Sequence, residues 1–103
     1  MTPEKVVQNK IYDYLKKLSD ENKPVEIFRR QAGGFSYKEG LPDLYGSING
    51  YHIEIEVKRP GGQLRAMQEK WRDRFIKKKV LWLCADSLED LINFIHEHFP
   101  TLL

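Results

Sequence analysis

The chain of 103 residues has a single cysteine, no long hydrophobic run and almost no net charge. The lone thiol, Cys84, excludes an internal disulfide framework and a Cys-based zinc site, and it fits a reducing compartment. No apolar stretch approaches the roughly 20 residues that span a bilayer, and the opening MTPEKVVQNK is too polar for a signal peptide. A cytoplasmic location is therefore expected. Seventeen basic residues stand against fifteen acidic ones, a net charge of +2, so any nucleic-acid footprint must be local rather than global. Repeats, low-complexity tracts and linkers are also missing. Residues 1–103 are accordingly expected to form one domain around one core.

What is present suits a folded domain: 41% hydrophobic residues exclude a disordered chain. Charge is unevenly placed. Arg65, Lys70, Arg72, Arg74, Lys77, Lys78 and Lys79 fall in one stretch against only Glu69 and Asp73, while acids outnumber bases elsewhere.

Thr2-Pro3-Glu4 reads as a helix start, with a hydroxyl cap, proline in the first turn and an early acid. Val7, Ile11, Leu15 and Leu18 recur at helical spacing, so a first helix is predicted from about Pro3 to Leu18. Val25 to Arg30 alternates like a short strand, and Gln31 to Leu41, with three glycines, reads as a loop. Asn49-Gly50 is a strong hairpin signal, because both residues tolerate positive φ. A two-residue loop fixes the register. Leu44 then faces Ile55, Gly46 faces Ile53 and Ile48 faces Tyr51 on the core side. On the other side Ser47 pairs with His52, Tyr45 with Glu54 and Asp43 with Glu56, and Lys58 follows. After Pro60-Gly61-Gly62 a helix from about Leu64 to Lys78 is expected to turn Leu64, Met67, Gln68, Trp71 and Phe75 inward. Val80 to Ala85 reads as a buried strand, and Ser87 with Asp90 opens a last helix lined by Leu88, Leu91, Ile92 and Ile95. The 21 residues between Lys58 and Val80 suffice for a crossover, so the last strand is expected parallel to the third. The fold class is thus α/β: an αβββαβα order with a mixed four-stranded sheet flanked by helices.

Two carboxylates directly across a hairpin have Cβ atoms roughly 4.5–5.5 Å apart. At an effective dielectric of 20, unit charges 5 Å apart repel by about 3 kcal/mol. Protonation of one acid relieves that repulsion, and so does a divalent cation. Mg²⁺ or Mn²⁺ suits a few carboxylate oxygens, water and a substrate phosphate. Lys58 adds a donor that can orient an attacking water. Gln68, on an otherwise apolar stripe, needs a polar partner.

Gly40-Leu41-Pro42-Asp43-Leu44, then Glu56-Val57-Lys58-Arg59-Pro60-Gly61-Gly62 and Gln68, resemble the motifs of the VRR-Nuc branch of the PD-(D/E)xK nucleases, most closely its stand-alone phage and bacterial members. The αβββαβα order resembles that superfamily's restriction-endonuclease-like core. The resemblance implies that Asp43, Glu56 and the Val57 carbonyl hold Mg²⁺ or Mn²⁺. It implies that Lys58 assists the nucleophilic water, that Gln68 orients water or a ligand, and that a DNA phosphodiester is attacked in line. It further implies a homodimer acting on branched DNA such as four-way junctions, in a bacterial or phage-infected cell. Where family members often carry an acid in the first helix, this chain has Gln8 within Gln8-Asn9-Lys10-Ile11; Glu4, one turn earlier, is the candidate substitute ligand.

Arg30, Lys38, Arg59, Arg65 and Arg72 are candidate phosphate contacts, although a charged outer helix face is commonly just solvated. The loop Gly33-Gly34-Phe35-Ser36-Tyr37-Lys38 is a candidate substrate contact. His96 and His98 point about 200° apart on a helix and make poor joint ligands. His52 lies at the far end of the active face, and Cys84, Trp71 and Trp82 read as core. Two rival functions stand beside the nuclease: a non-catalytic DNA-binding module that keeps the fold, suggested by Gln8, and a nuclease active only within a replication or repair complex.

Overall fold

The computed structural model describes residues 1–31 and 38–103. The expected element order is present: α1 (Pro3–Asp20), β1 (Val25–Arg29), β2 (Leu44–Ile48), β3 (Tyr51–Val57), α2 (Ala66–Lys77), β4 (Leu81–Ala85) and α3 (Leu88–His98). Helix α1 begins where Thr2 Oγ1 accepts the Lys5 N–H at 3.2 Å, and its Val7, Ile11, Leu15 and Leu18 are all buried. It runs two residues beyond Leu18, into the polar Ser19-Asp20. The last helix starts the same way, with Ser87 Oγ accepting the Asp90 N–H.

The four strands lie in the order β1-β2-β3-β4, the first three antiparallel and β4 parallel to β3. Asn49 and Gly50 both have positive φ, 52° and 81°, and the hairpin register is the predicted one from Leu44↔Ile55 to Ile48↔Tyr51. Ile27, Leu44, Ile53, Ile55 and Val57 project to one face and pack with α1 and α3. The opposite face carries Tyr45, Glu54, Glu56, Trp82 and Cys84, and α2 lies over part of it, with the Phe75 ring against His52.

Several expectations about burial are corrected. Tyr51, expected in the core, is 62% exposed: it stands at the end of its strand next to the hairpin loop, with its ring tilted towards Phe99. Strand β4 is a sheet edge, so only Ala85 in it is fully buried, and Trp82 and Cys84 are half-buried. Helix α2 starts at Ala66, later than Leu64, and Gln68 is its one buried residue; Trp71 and Phe75 are half-buried and Met67 is exposed. A lone helix on one side of a sheet cannot seal its own inner stripe as two helices seal theirs. The polar strand face is the converse. Glu54, Glu56 and Lys58 are all buried.

Candidate active site

Asp43 immediately precedes β2, so it continues the hairpin register one step beyond Leu44↔Ile55 and arrives beside Glu56. Its Oδ2 accepts the Val57 backbone N–H at 2.8 Å, which leaves Oδ1 uncommitted by that bond. Glu56, 2% exposed, has its Oε1 buried with no hydrogen-bond partner among the described residues. Burial first, then the hydrogen bond and charge of Asp43, with Lys58 pulling against them, together bring the Glu56 carboxyl up to about 9. The charge of Glu4 adds a smaller upward push. At neutral pH Glu56 therefore carries a proton, which relieves the repulsion expected of two facing carboxylates.

Asp43 lines a cavity of about 420 Å³ together with Glu4, Glu39, Arg65 and Gln68. Helix α1 thus does bring Glu4 to the site. Gln8 is turned elsewhere: its Oε1 accepts from Lys5 Nζ and from an Arg29 Nη. Gln68 finds its partner within its own helix start, where Oε1 accepts the Arg65 backbone N–H at 2.8 Å. Gly61 donates its N–H to Asp86 Oδ2, which ties the Gly-Gly turn to the end of β4, and this bond holds the Asp86 carboxyl below its usual range.

The basic candidates separate. Arg59 and Arg65 line a second cleft of about 250 Å³ together with Lys58 and Glu4. Lys38 is exposed. Arg72 is bonded to Asp73 at 2.9 Å and lies 3.7 Å from Glu69, on the outer surface of α2. Arg30 is drawn inward to Glu54, described below. The loop candidate Gly33-Gly34-Phe35-Ser36-Tyr37 lies outside the described residues. His52 is bonded to Glu54 at 2.6 Å. Burial pushes the Cys84 thiol up, with the Glu56 charge next in weight, so it is a poor nucleophile.

Two residues near the site, Glu54 and Glu39, are not among the site candidates that the sequence offers. Glu54 was visible as the first of the alternating Glu54-x-Glu56-x-Lys58, but alternation alone reads as a solvent-facing strand. Glu39 sits in a loop without period, and only the structure brings it to the cavity, where its carbonyl accepts the Trp71 Nε1–H at 3.0 Å.

The donor set fits a hard divalent cation. Among the described residues no cluster of three or more His, Cys, Asp or Glu side chains is arranged to hold a metal. Mg²⁺ commonly takes one or two carboxylates and leaves its other positions to water and substrate phosphate. The unpartnered, buried Glu56 Oε1 beside Asp43 is an oxygen of the kind such an ion satisfies.

No family model matches the chain, and no curated protein matches it. A solved structure described as a VRR_NUC domain is similar to it in fold, with a TM-score of 0.73 at 21% sequence identity. The similarity covers 96% of this chain and 99% of that one, so nearly every element described above has its counterpart in the VRR_NUC fold.

Proposed function

We propose that the chain is a nuclease of the PD-(D/E)xK type that hydrolyses DNA phosphodiester bonds with Mg²⁺ or Mn²⁺. The observation that carries this reading is the buried Glu56 carboxyl, with one oxygen unpartnered, set between Asp43, which lines an open cavity, and Lys58, which lines the adjoining cleft. Its support is the VRR_NUC-like fold in which that face lies.

Asp43 and Glu56 would hold the ion, with the Val57 carbonyl as a third protein ligand, and Glu4 is the candidate addition from across the cavity that Asp43 lines. The bound ion supplies Lewis-acid polarisation of the scissile phosphate. Lys58 donates a hydrogen bond to the attacking water and fixes its direction. Gln68 closes the inner wall while bracing the first turn of α2. Arg59 and Arg65 meet the flanking phosphates from the adjoining cleft, and Lys38 reaches them from the loop. The water attacks phosphorus in line, losing a proton to solvent, while the bond from phosphorus to the sugar oxygen breaks on the opposite side and that oxygen takes up a proton from solvent.

Branched DNA is the proposed substrate and a homodimer the acting form, since one small site reads little of a junction alone. The decisive assay incubates the protein with labelled linear, flap and four-way-junction DNA in Mg²⁺, Mn²⁺ or EDTA. Cleavage in either metal, absent in EDTA and in Glu56→Ala, is expected. DNA binding without cleavage in any metal would instead favour the non-catalytic module. Light scattering at micromolar concentration tests the dimer: a mass near 12.2 kDa overturns it.

A further inference from the structure

We infer that Arg30 is a positioning residue for the proposed metal site, holding the backbone on both sides of Asp43; the inference rests on the reading of Asp43 as a metal ligand. The Arg30 backbone N–H donates to the Asp43 carbonyl at 2.9 Å, and its guanidinium donates to the Pro42 carbonyl at 3.0 Å. Those are the two peptide groups that flank the Asp43 Cα. The guanidinium is itself fixed by a forked pair of bonds to Glu54, at 2.5 and 3.1 Å, and that carboxylate is fully buried. The Tyr45 ring lies against it, with its centroid 4.5 Å from the guanidinium carbon. Glu54 projects from the same strand and face as Glu56, so the strand that carries one acid of the site also anchors the grip on the other. With Val57 holding the carboxylate, Asp43 is fixed at three points. Arg30 thereby acts through the backbone of Asp43 rather than on substrate. A lysine keeps the charge beside Glu54 but cannot reproduce the fork and the Pro42 bond together.

The test uses Arg30→Lys and the paired replacement Arg30→Met with Glu54→Leu, which removes both buried charges at once. Amide hydrogen exchange is followed in EDTA at Val57, bonded to Asp43, and at Lys58, whose N–H donates to the Ala85 carbonyl at 2.9 Å. Mn²⁺ affinity is measured alongside. The expected result is at least tenfold faster exchange at Val57 with Lys58 unchanged, and at least tenfold weaker Mn²⁺ binding. Unchanged exchange at Val57, equal acceleration at both amides, or failure of both variants to fold overturns the inference and leaves Arg30 a general stability residue. If the wild type binds no Mn²⁺, the metal reading fails, and the ratio of the two exchange rates still decides whether Arg30 fixes Asp43.

Discussion

Asp43 Oδ2 accepts the backbone N–H of Val57, the residue that follows Glu56 on the neighbouring strand, at 2.8 Å. One carboxylate oxygen of Asp43 is thus part of the fold, and the carboxylate also meets the Glu56 carboxyl beside it. Val57 is itself fully buried, so its amide depends on this acceptor.

The bond to Val57 separates two substitutions. An amide in place of the carboxylate still offers a carbonyl oxygen to Val57. Asp43→Asn should therefore fold with wild-type-like stability in EDTA while cleavage falls by at least about 10²-fold. Asp43→Ala removes the acceptor as well, and an unpaired buried amide costs about 1–3 kcal/mol. Melting curves in EDTA beside cleavage rates in Mn²⁺ check this. Equal stability of the two variants would show that the Val57 bond contributes nothing.

The raised Glu56 carboxyl gives a pH dependence with a definite sign. Its value is about 9 in the folded protein against 4.5 for the ordinary group, so between these values the folded state holds a proton that the unfolded state has released. Metal-free stability should therefore be full below pH 4.5 as far as this group is concerned, and should fall as pH rises towards 9. The slope approaches about 1.4 kcal/mol per pH unit where the two states differ by one proton. Glu56→Gln should flatten it. Thermal melts in EDTA across the range from about pH 5 to about pH 8.5 measure the effect, and identical slopes for wild type and variant would remove Glu56 as its source.

Metal binding should run the other way. Mg²⁺ needs the carboxylate, so binding at neutral pH displaces the Glu56 proton and affinity rises with pH up to about 9. At about 100 times the dissociation constant, Mg²⁺ should stabilise the wild type by about 2.7 kcal/mol and leave Glu56→Gln almost unmoved. Calorimetric titration in two buffers of different ionisation enthalpy counts the released proton. No release, with binding intact, would place the ion elsewhere.

The hairpin explains why the site was legible at all. Asn49-Gly50 admits one two-residue loop geometry, and this fixes every pair from Ile48↔Tyr51 to Leu44↔Ile55 and carries Asp43 to Glu56. Helix α1 was equally plain, because Val7, Ile11, Leu15 and Leu18 lie on one stripe against the sheet. What sequence spacing could not supply was depth. Period-2 polarity marks Glu54, Glu56 and Lys58 as sharing a face, but whether water reaches that face depends on where α2 lands. The same applies to α2, whose apolar stripe has the right period yet meets an edge strand and stays half-open. Arg30 and Glu54 are 24 residues apart in the chain, and nothing local to either announces the pair.

Charge at the adjoining cleft should govern DNA affinity without setting the chemistry. Arg59 and Arg65 line it beside Lys58, whereas Arg72 is already occupied by Glu69 and Asp73. Arg59→Glu with Arg65→Glu should weaken binding to every DNA shape and flatten its salt dependence, and Arg72→Glu should do much less. Binding isotherms at several salt concentrations distinguish them. If Arg72→Glu has the larger effect, the outer face of α2 is the footprint instead.

The approach of α2 to the site loop supplies the last prediction. Gly40 has φ +85°, a conformation that side chains rarely adopt, and a Cβ there would lie 2.8 Å from the backbone carbon and oxygen of Met67. Because the obstruction is the Met67 backbone and its Cβ, which alanine keeps, trimming the Met67 side chain cannot relieve it. Gly40→Ala must therefore move the loop off the helix, with a cost of about 1–3 kcal/mol from backbone strain alone. The movement should break the bond from Trp71 Nε1 to the Glu39 carbonyl and shift Gln68 and Arg65 from the cavity they share with Asp43. The expected outcome is a lower melting temperature, a red-shifted tryptophan emission and slower cleavage, with no recovery in Gly40→Ala combined with Met67→Ala. Recovery in the double variant would show that the contact is with a yielding side chain, and that the loop and α2 are held together less rigidly than their backbones imply.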